Sequence, residues 1–112
     1  MKAMTTQQVN RMIQSMGFPC AYHHFSQAAR RPPPYICFLY PANDDLFADN
    51  ENYATITELR IELYTKTKDF AAERAVEAVL KEYGQPYSKD ETYIDEEATF
   101  LIIYTTEVYI DE

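Results

Sequence analysis

The chain has no tryptophan, only two glycines and only two cysteines in 112 residues. Neither Gly17 nor Gly84 lies in a loop of the kind that cradles a phosphate group. Cys20 and Cys37 stand singly in apolar stretches, and no CxxC or histidine spacing accompanies them. We therefore expect buried free thiols, and the pattern gives no support to a disulfide between them.

Basic residues are also scarce, because 10 lysines and arginines stand against 18 aspartates and glutamates, for a net charge of -8. Such a surface repels phosphate groups, which argues against specific nucleic-acid binding and against docking on anionic membranes. The acidity serves either solubility alone or a contact with a basic partner. No apolar run approaches 18 residues, so no membrane span is expected. The first residues lack a hydrophobic export core, so an intracellular site of synthesis is expected.

What the sequence does contain is the composition of one globular domain, with 46% hydrophobic and 25% charged residues. We expect a single α+β domain over residues 1–112, in the order α-β-β-β-α-β-β. The sheet is expected to be mostly antiparallel, with two helices packed on one face.

Two helices have clear start and stop signals. Thr5 and Gln8 have the spacing of a capping box, and apolar residues then repeat at helical spacing up to Gly17. Asp69 is placed to cap a second helix over 70–83, which Gly84 ends.

Five strands are predicted, at Phe18–Phe25, Tyr35–Tyr40, Tyr53–Thr65, Pro86–Ile94 and Ala98–Ile110. Tyr35–Tyr40 and Ala98–Ile110 are apolar on both faces, so both are expected inside the sheet. In Tyr53–Thr65, polar Glu58, Arg60 and Glu62 alternate with apolar residues, as in a half-buried strand. The last two strands are expected to form an antiparallel hairpin.

The segment Pro41–Asn52 is predicted to be a polar loop. Leu46 and Phe47 are unusual there. They either tuck under the loop onto the core or form a contact with a partner.

Residues that carry chemistry are few. His23 and His24 would point to opposite faces of a strand, which hinders binding of one metal ion. Acidic pairs such as Asp44–Asp45 lack the spacing of a calcium loop. We therefore expect no catalytic, metal or cofactor site and no enzymatic activity. An enzyme that uses an acidic cluster or His23 remains a weaker alternative, which a convergent polar pocket would favour.

The one compact basic site is Arg30–Arg31, followed by three prolines. It is either a solvated loop or an arm that meets an acidic patch on a neighbouring copy. Complementary charges on one chain favour head-to-tail contacts, which can close into a ring.

Several stretches resemble the small tail-completion proteins of phages and prophages of Gram-positive bacteria, a family that includes tail terminators and head–tail joining proteins. The resemblance covers the chain from about Met4 to Ile110. The stretches that carry it are Pro32–Tyr40, Phe47–Asp49, Ile61–Thr65, Lys68–Asp69, Tyr93–Ile94 and Phe100–Tyr104.

The resemblance implies a structural protein of the virion, made in the bacterial cytoplasm and placed in the tail at the head–tail junction. Its partners would be further copies of itself in a ring, usually a hexamer, the tail tube protein and the head connector protein. It implies no enzymatic activity and no cofactor, and DNA would pass through the ring without specific binding.

Candidate contact residues for such an assembly combine basic, acidic and apolar side chains. They are Arg30, Arg31, Asp44, Asp45, Leu46, Phe47, Glu58, Arg60 and Glu62. The alternative function is a small ferredoxin-like interaction module that binds a host or regulatory protein, with the Leu46–Phe47 loop as its contact.

Overall fold

A computed structural model describes residues 3–43, 46–48, 51–54 and 56–111, with the backbone alone for 46–48 and 51–54. The described elements are two helices and eight strands, of which the sixth and the eighth strand are the longest. They are β1 (Ala3–Met4), α1 (Thr6–Gln14), β2 (Cys20–Tyr22), β3 (Tyr35–Leu39), β4 (Leu46–Ala48), β5 (Glu51–Ala54), β6 (Ile56–Thr65), α2 (Phe70–Glu82), β7 (Ser88–Ile94) and β8 (Thr99–Ile110). The described residues also form two 3-10 turns, at Gln27–Ala29 and Asp95–Glu97.

Six of these strands form one mixed sheet in the order β1-β8-β6-β3-β2, and β7 pairs with β8 beside β1. The α+β class is thus confirmed. The predicted order α-β-β-β-α-β-β was wrong in detail, because β1 precedes α1 and the strands β4 and β5 stand between β3 and β6. The antiparallel character also differs in detail, because β1 and β2 run parallel to their neighbours β8 and β3. A parallel pair needs a crossover connection, which residues 23–34 supply between β2 and β3.

The two long strands form the centre of the sheet. β6 pairs with β8 over ten consecutive residues, from Ile56 opposite Tyr109 to Thr65 opposite Phe100. β3 lies between β6 and β2. The predictions that β3 and β8 are interior strands are therefore confirmed.

Local hydrogen bonds fix the start of each helix. Thr5 Oγ1 accepts from the Gln8 backbone N–H at 3.1 Å, and Gln8 Oε1 accepts from the Thr5 N–H at 2.9 Å. Asp69 Oδ1 accepts from the Ala72 N–H at 3.0 Å. Gly17 follows α1 with φ +90°, which glycine adopts readily. The predicted caps are confirmed.

Both helices pack on the same face of the sheet, as predicted. The core contains the apolar stripe of each helix and the inward side chains of the central strands. Its fully buried members include Val9, Met12 and Ile13 from α1, Val76 and Leu80 from α2, and Ile36, Leu59, Ile61, Leu63, Ile102 and Tyr104 from the sheet.

The region before β6 differs from the prediction. The strand expected at Tyr53–Thr65 begins at Ile56, and the loop expected at Pro41–Asn52 contains β4. β4 and β5 pair with each other as a separate two-stranded sheet, which we call the hairpin. Alternating residues continue across the junction between β5 and β6, so the pattern alone could not separate them.

Candidate functional site

One face of the six-stranded sheet has no helix on it among the described residues. We call it the uncovered face. Even-numbered residues of β6 point to it, since the odd-numbered ones enter the core. Cys37 and Leu101 on this face are only 4% and 8% exposed. Their neighbours Leu39, Ile56, Tyr64, Ile103 and Tyr109 are half-buried.

At one end of the uncovered face lies a cleft of about 560 Å3. Segment 23–34 forms one wall, and the ends of β3, β6 and β8 form the floor. Arg30, Arg31 and Lys66 line it, so we call it the cationic cleft. Lys66 continues the even-numbered series of β6, which places it on the same face as Tyr64.

Contacts between aromatic rings hold the wall of the cationic cleft. The Phe25 and Tyr35 ring centroids lie 5.3 Å apart at 84°, and those of Tyr35 and Tyr64 lie 4.8 Å apart at 22°. The Arg31 guanidinium carbon lies 5.7 Å from the Phe25 ring centroid, a cation–π contact. The rings therefore give the arginine-bearing segment a fixed place beside β3.

The cationic cleft has the opposite sign to the rest of the chain. Among the residues that the structure describes, ion pairs form at Arg60, Lys68 and Lys89, and at none of Arg30, Arg31 and Lys66. Glu97 is the acidic residue on its lining. Three positive charges and one negative charge give the lining a formal +2, on a chain of -8.

His23 and His24 also line the cationic cleft, and their predicted separation was wrong. His23 follows β2 with φ +67°, which ends the strand and turns the two imidazoles together. Their Nδ1 atoms lie 3.1 Å apart. Within the part of the chain that the structure describes, no cluster of three metal-binding side chains forms.

The two cysteines are free, as expected, and Cys37 is buried, but Cys20 is only half-buried, contrary to the expectation. Cys20 lies opposite Ile36, and Cys37 lies opposite Ala21, so the two thiols occupy opposite faces of the sheet. Burial, followed by the charge of Glu62, raises the pKa of Cys37 to about 11. This thiol therefore stays protonated at neutral pH and is a poor nucleophile.

Arg60 and Glu62, predicted as contact residues, lie beside the cationic cleft on the uncovered face. Arg60 Nε lies 3.0 Å from Glu62 Oε2, and the Tyr64 hydroxyl donates to Glu62 Oε1 at 3.1 Å. Burial and Glu62 together raise the pKa of Tyr64. Glu58 stands further along β6, opposite Glu107 of β8. The charges of Arg60 and Glu62 thus neutralise each other, unlike those of the cleft.

The structure does not test the remaining predicted contacts. Asp44 and Asp45 lie outside the described residues. Leu46 and Phe47 lie in β4 of the hairpin, and their side chains lie outside what is described. Neither prediction for this apolar pair is therefore tested. Sequence analysis identified Arg30 and Arg31 but missed Lys66. Lys66 follows Tyr64 by two residues, and this spacing places both side chains on the same face of a strand.

A second charged cluster, the lysine–glutamate network, lies between α2 and the sheet. Lys68 Nζ lies 2.7 Å from Glu73 Oε2, and Lys89 Nζ lies 2.8 Å from Glu73 Oε1. Lys89 Nζ also lies 2.7 Å from Glu77 Oε2, and Lys68 Nζ lies 2.6 Å from Glu91 Oε1. Sequence analysis missed this network, since Glu73 shows in the sequence only as one more acidic residue of an amphipathic helix.

Glu73 is the centre of this network, with a side chain that is only 2% exposed. Burial alone would raise its pKa, but hydrogen bonds and charges from Lys68 and Lys89 outweigh that effect and hold the pKa below its ordinary value. The carboxylate is therefore ionised at neutral pH. Its role is to hold two lysines against the helix, and it does not carry a proton for acid catalysis.

Comparison with known proteins gives no assignment, since neither a family model nor a curated protein matches the chain. Within the described residues, no helix is both long and apolar enough to cross a membrane. The uncovered face and the cationic cleft are therefore the candidate functional surfaces of the described chain.

Proposed function

We propose that this protein is a structural subunit of a phage or prophage tail. Copies of it assemble into a ring that closes the tail tube and joins the tail to the head connector, without catalysis. Its place in the virion is then the head–tail junction. The specific part of this proposal comes from the sequence resemblance, and the physical part comes from the surface of the fold.

The observation that carries the proposal is the uncovered face. No helix in the described part of the chain covers this face of the six-stranded sheet, and apolar side chains such as Leu39, Ile103 and Tyr109 lie on it half-buried. The exposed parts of these half-buried side chains form an apolar surface, and contiguous apolar surface on a folded protein is typical of interaction sites. Tyrosine, which is frequent here, is also enriched at interfaces.

The charge distribution favours a ring over a symmetric pair. The cationic cleft is positive, whereas the whole chain has a net charge of -8, so different regions of one subunit complement each other. Contacts between two different regions are heterologous, and they close into rings when the rotation per subunit allows it. An acidic lumen would repel DNA and allow it to pass freely.

The oligomeric state tests the proposal directly. Wild-type protein should form a ring-sized species in mass photometry as concentration rises, or when tail tubes are added. Ile103→Lys places a charge on the uncovered face, beside Glu62 and Asp90, its partners on β6 and β7. We expect this variant to remain folded and to lose the ring. Ala78→Lys, on the exposed side of α2, is the matched control and should assemble normally.

Phage particles made without this protein provide the second test. Electron microscopy should show overlong tails or separate heads and tails, and wild-type protein supplied in trans should restore normal particles. Normal particles in its absence, together with a chain that stays monomeric beside tail tubes, would contradict the proposal. They would favour the small interaction module instead.

A further inference from the structure

We propose that the acidic hairpin of one copy docks in the cationic cleft of the next copy. This contact would repeat around the ring from subunit to subunit. The inference rests on the proposed function, because it names the contact through which the copies join.

The cleft has the chemistry of a carboxylate site. Arg30, Arg31 and Lys66 form no ion pair with a carboxylate among the described residues, yet they converge on one cleft of about 560 Å3. Guanidinium groups match carboxylates in a bidentate geometry. Like charges held close together repel each other, so an incoming carboxylate lowers the energy of all three. The cleft therefore favours an acidic partner.

The hairpin has the matching composition. Residues 43–54, which are the hairpin and the three residues before it, contain four acidic residues and no lysine, arginine or histidine. Among the described residues, β4 and β5 pair with each other and with no strand of the main sheet, and the bridge between Asn43 and Thr57 connects the segment before β4 to β6. The hairpin is thus an acidic element outside the main sheet.

The geometry requires the contact to be intermolecular. The hairpin ends at Ala54, just before β6 begins at Ile56, whereas Tyr64 and Lys66 of the cleft lie at the other end of β6. The eight residue steps from Ile56 to Tyr64 span about 27 Å at the usual strand rise. A hairpin at one end of this strand cannot reach a cleft at the other end within the same copy.

Donor and acceptor regions at opposite ends of one subunit define a heterologous contact. Each copy then offers its hairpin to one neighbour and its cleft to the other, as a closed ring requires. The competing acidic element is the turn Asp95–Glu97, whose Glu97 already lines the cleft. Because this turn lies beside the cleft, two copies that used it would pair mutually and stop at a dimer.

Charge reversal in both partners tests the inference. Arg30→Glu/Arg31→Glu reverses charge in the cleft, and Asp44→Lys/Asp45→Lys reverses charge next to the hairpin. Each variant alone should lose at least tenfold in self-association, measured by mass photometry or sedimentation. An equimolar mixture of the two should assemble again, because each reversed cleft then meets a reversed hairpin. Assembly of wild type and mixture should weaken as salt rises.

Arg74→Glu/Lys81→Glu, on the exposed side of α2, makes the same change in net charge as Arg30→Glu/Arg31→Glu and is the control for that variant. Circular dichroism should show that all variants remain folded. Rings that survive both reversals overturn the hairpin contact and leave the proposed function standing. A dimer that depends on Asp95 and Glu96 also overturns the contact. Wild-type protein that remains monomeric beside tail tubes overturns both.

Discussion

The lysine–glutamate network and the cationic cleft use the same kind of charge in opposite ways. In the network, Lys68 and Lys89 each contact two carboxylates within 2.8 Å, and Glu73 is almost completely buried. In the cleft, Arg30, Arg31 and Lys66 converge without an ion-pair partner in the described part of the chain.

The difference indicates what each set of charges does. Buried charges that are already paired contribute to the fold, because removing one partner leaves the others uncompensated. Exposed charges without a partner add little to stability and remain available to a second molecule. Stability should therefore depend on the network, and assembly should depend on the cleft.

The largest effect is expected for Glu73→Ala. The substitution leaves Lys68 and Lys89 close together without the carboxylate between them, and it opens space under α2. Because both ammonium groups are about one-third exposed, water compensates part of the loss. We expect a free energy of unfolding lower by about 2 kcal/mol and a Tm lower by about 8 °C in thermal unfolding.

Glu91→Ala is the matched control for that substitution. Glu91 also contacts Lys68, at 2.6 Å, but its side chain is 43% exposed. Exposed ion pairs contribute little, so the Tm should stay nearly unchanged. Equal losses for Glu73→Ala and Glu91→Ala would show that burial of the network carboxylate is not what stabilises the helix.

An intermediate effect is expected from acid. The pKa of Glu73 lies below its ordinary value of 4.5 in the folded protein, so the unfolded chain binds protons first as pH falls. The stability that the network contributes is complete above about pH 4.5 and is lost as pH falls through the folded pKa. Denaturant unfolding between pH 3 and 7 should show this slope. In Glu73→Gln the slope of the free energy of unfolding against pH should be shallower. An identical slope would show that Glu73 does not cause the pH dependence.

The smallest effect on stability is expected in the cationic cleft. Arg30→Ala/Arg31→Ala removes two exposed charges and one cation–π contact, while the core is untouched. We expect the free energy of unfolding to change by less than about 0.5 kcal/mol. Denaturant unfolding measures it. A loss comparable to that of Glu73→Ala would show that the arginines serve the fold, and the contrast between the two regions would fail.

The parts of the fold that could be predicted are those with local causes. A capping box depends only on two residues that are three positions apart, so Thr5 and Gln8 were sufficient to predict the start of α1. The period of two in β6 likewise follows from one buried face. The parallel pairings of β1 and β2 depend on partners far along the chain, and no local pattern marks them.

The charged residues of the candidate site also fall into those that local sequence identifies and those that only the fold brings together. Arg30 and Arg31 are adjacent and conspicuous on an acidic chain, so the sequence identified them. Lys66 joins them only because the end of β6 lies beside segment 23–34 in the folded sheet. Glu73 was missed for a similar reason, since its two lysines come from the turn before α2 and from β7.

The long register of β6 also limits how this gene can change length. β6 pairs over ten residues with β8 and over five with β3, so inserting or deleting one codon would move its apolar side chains to the wrong face. Length changes are tolerated better in the hairpin and in segment 23–34. These two segments form the proposed contact, so, if that contact exists, related proteins can change their partner choice while the sheet is inherited unchanged.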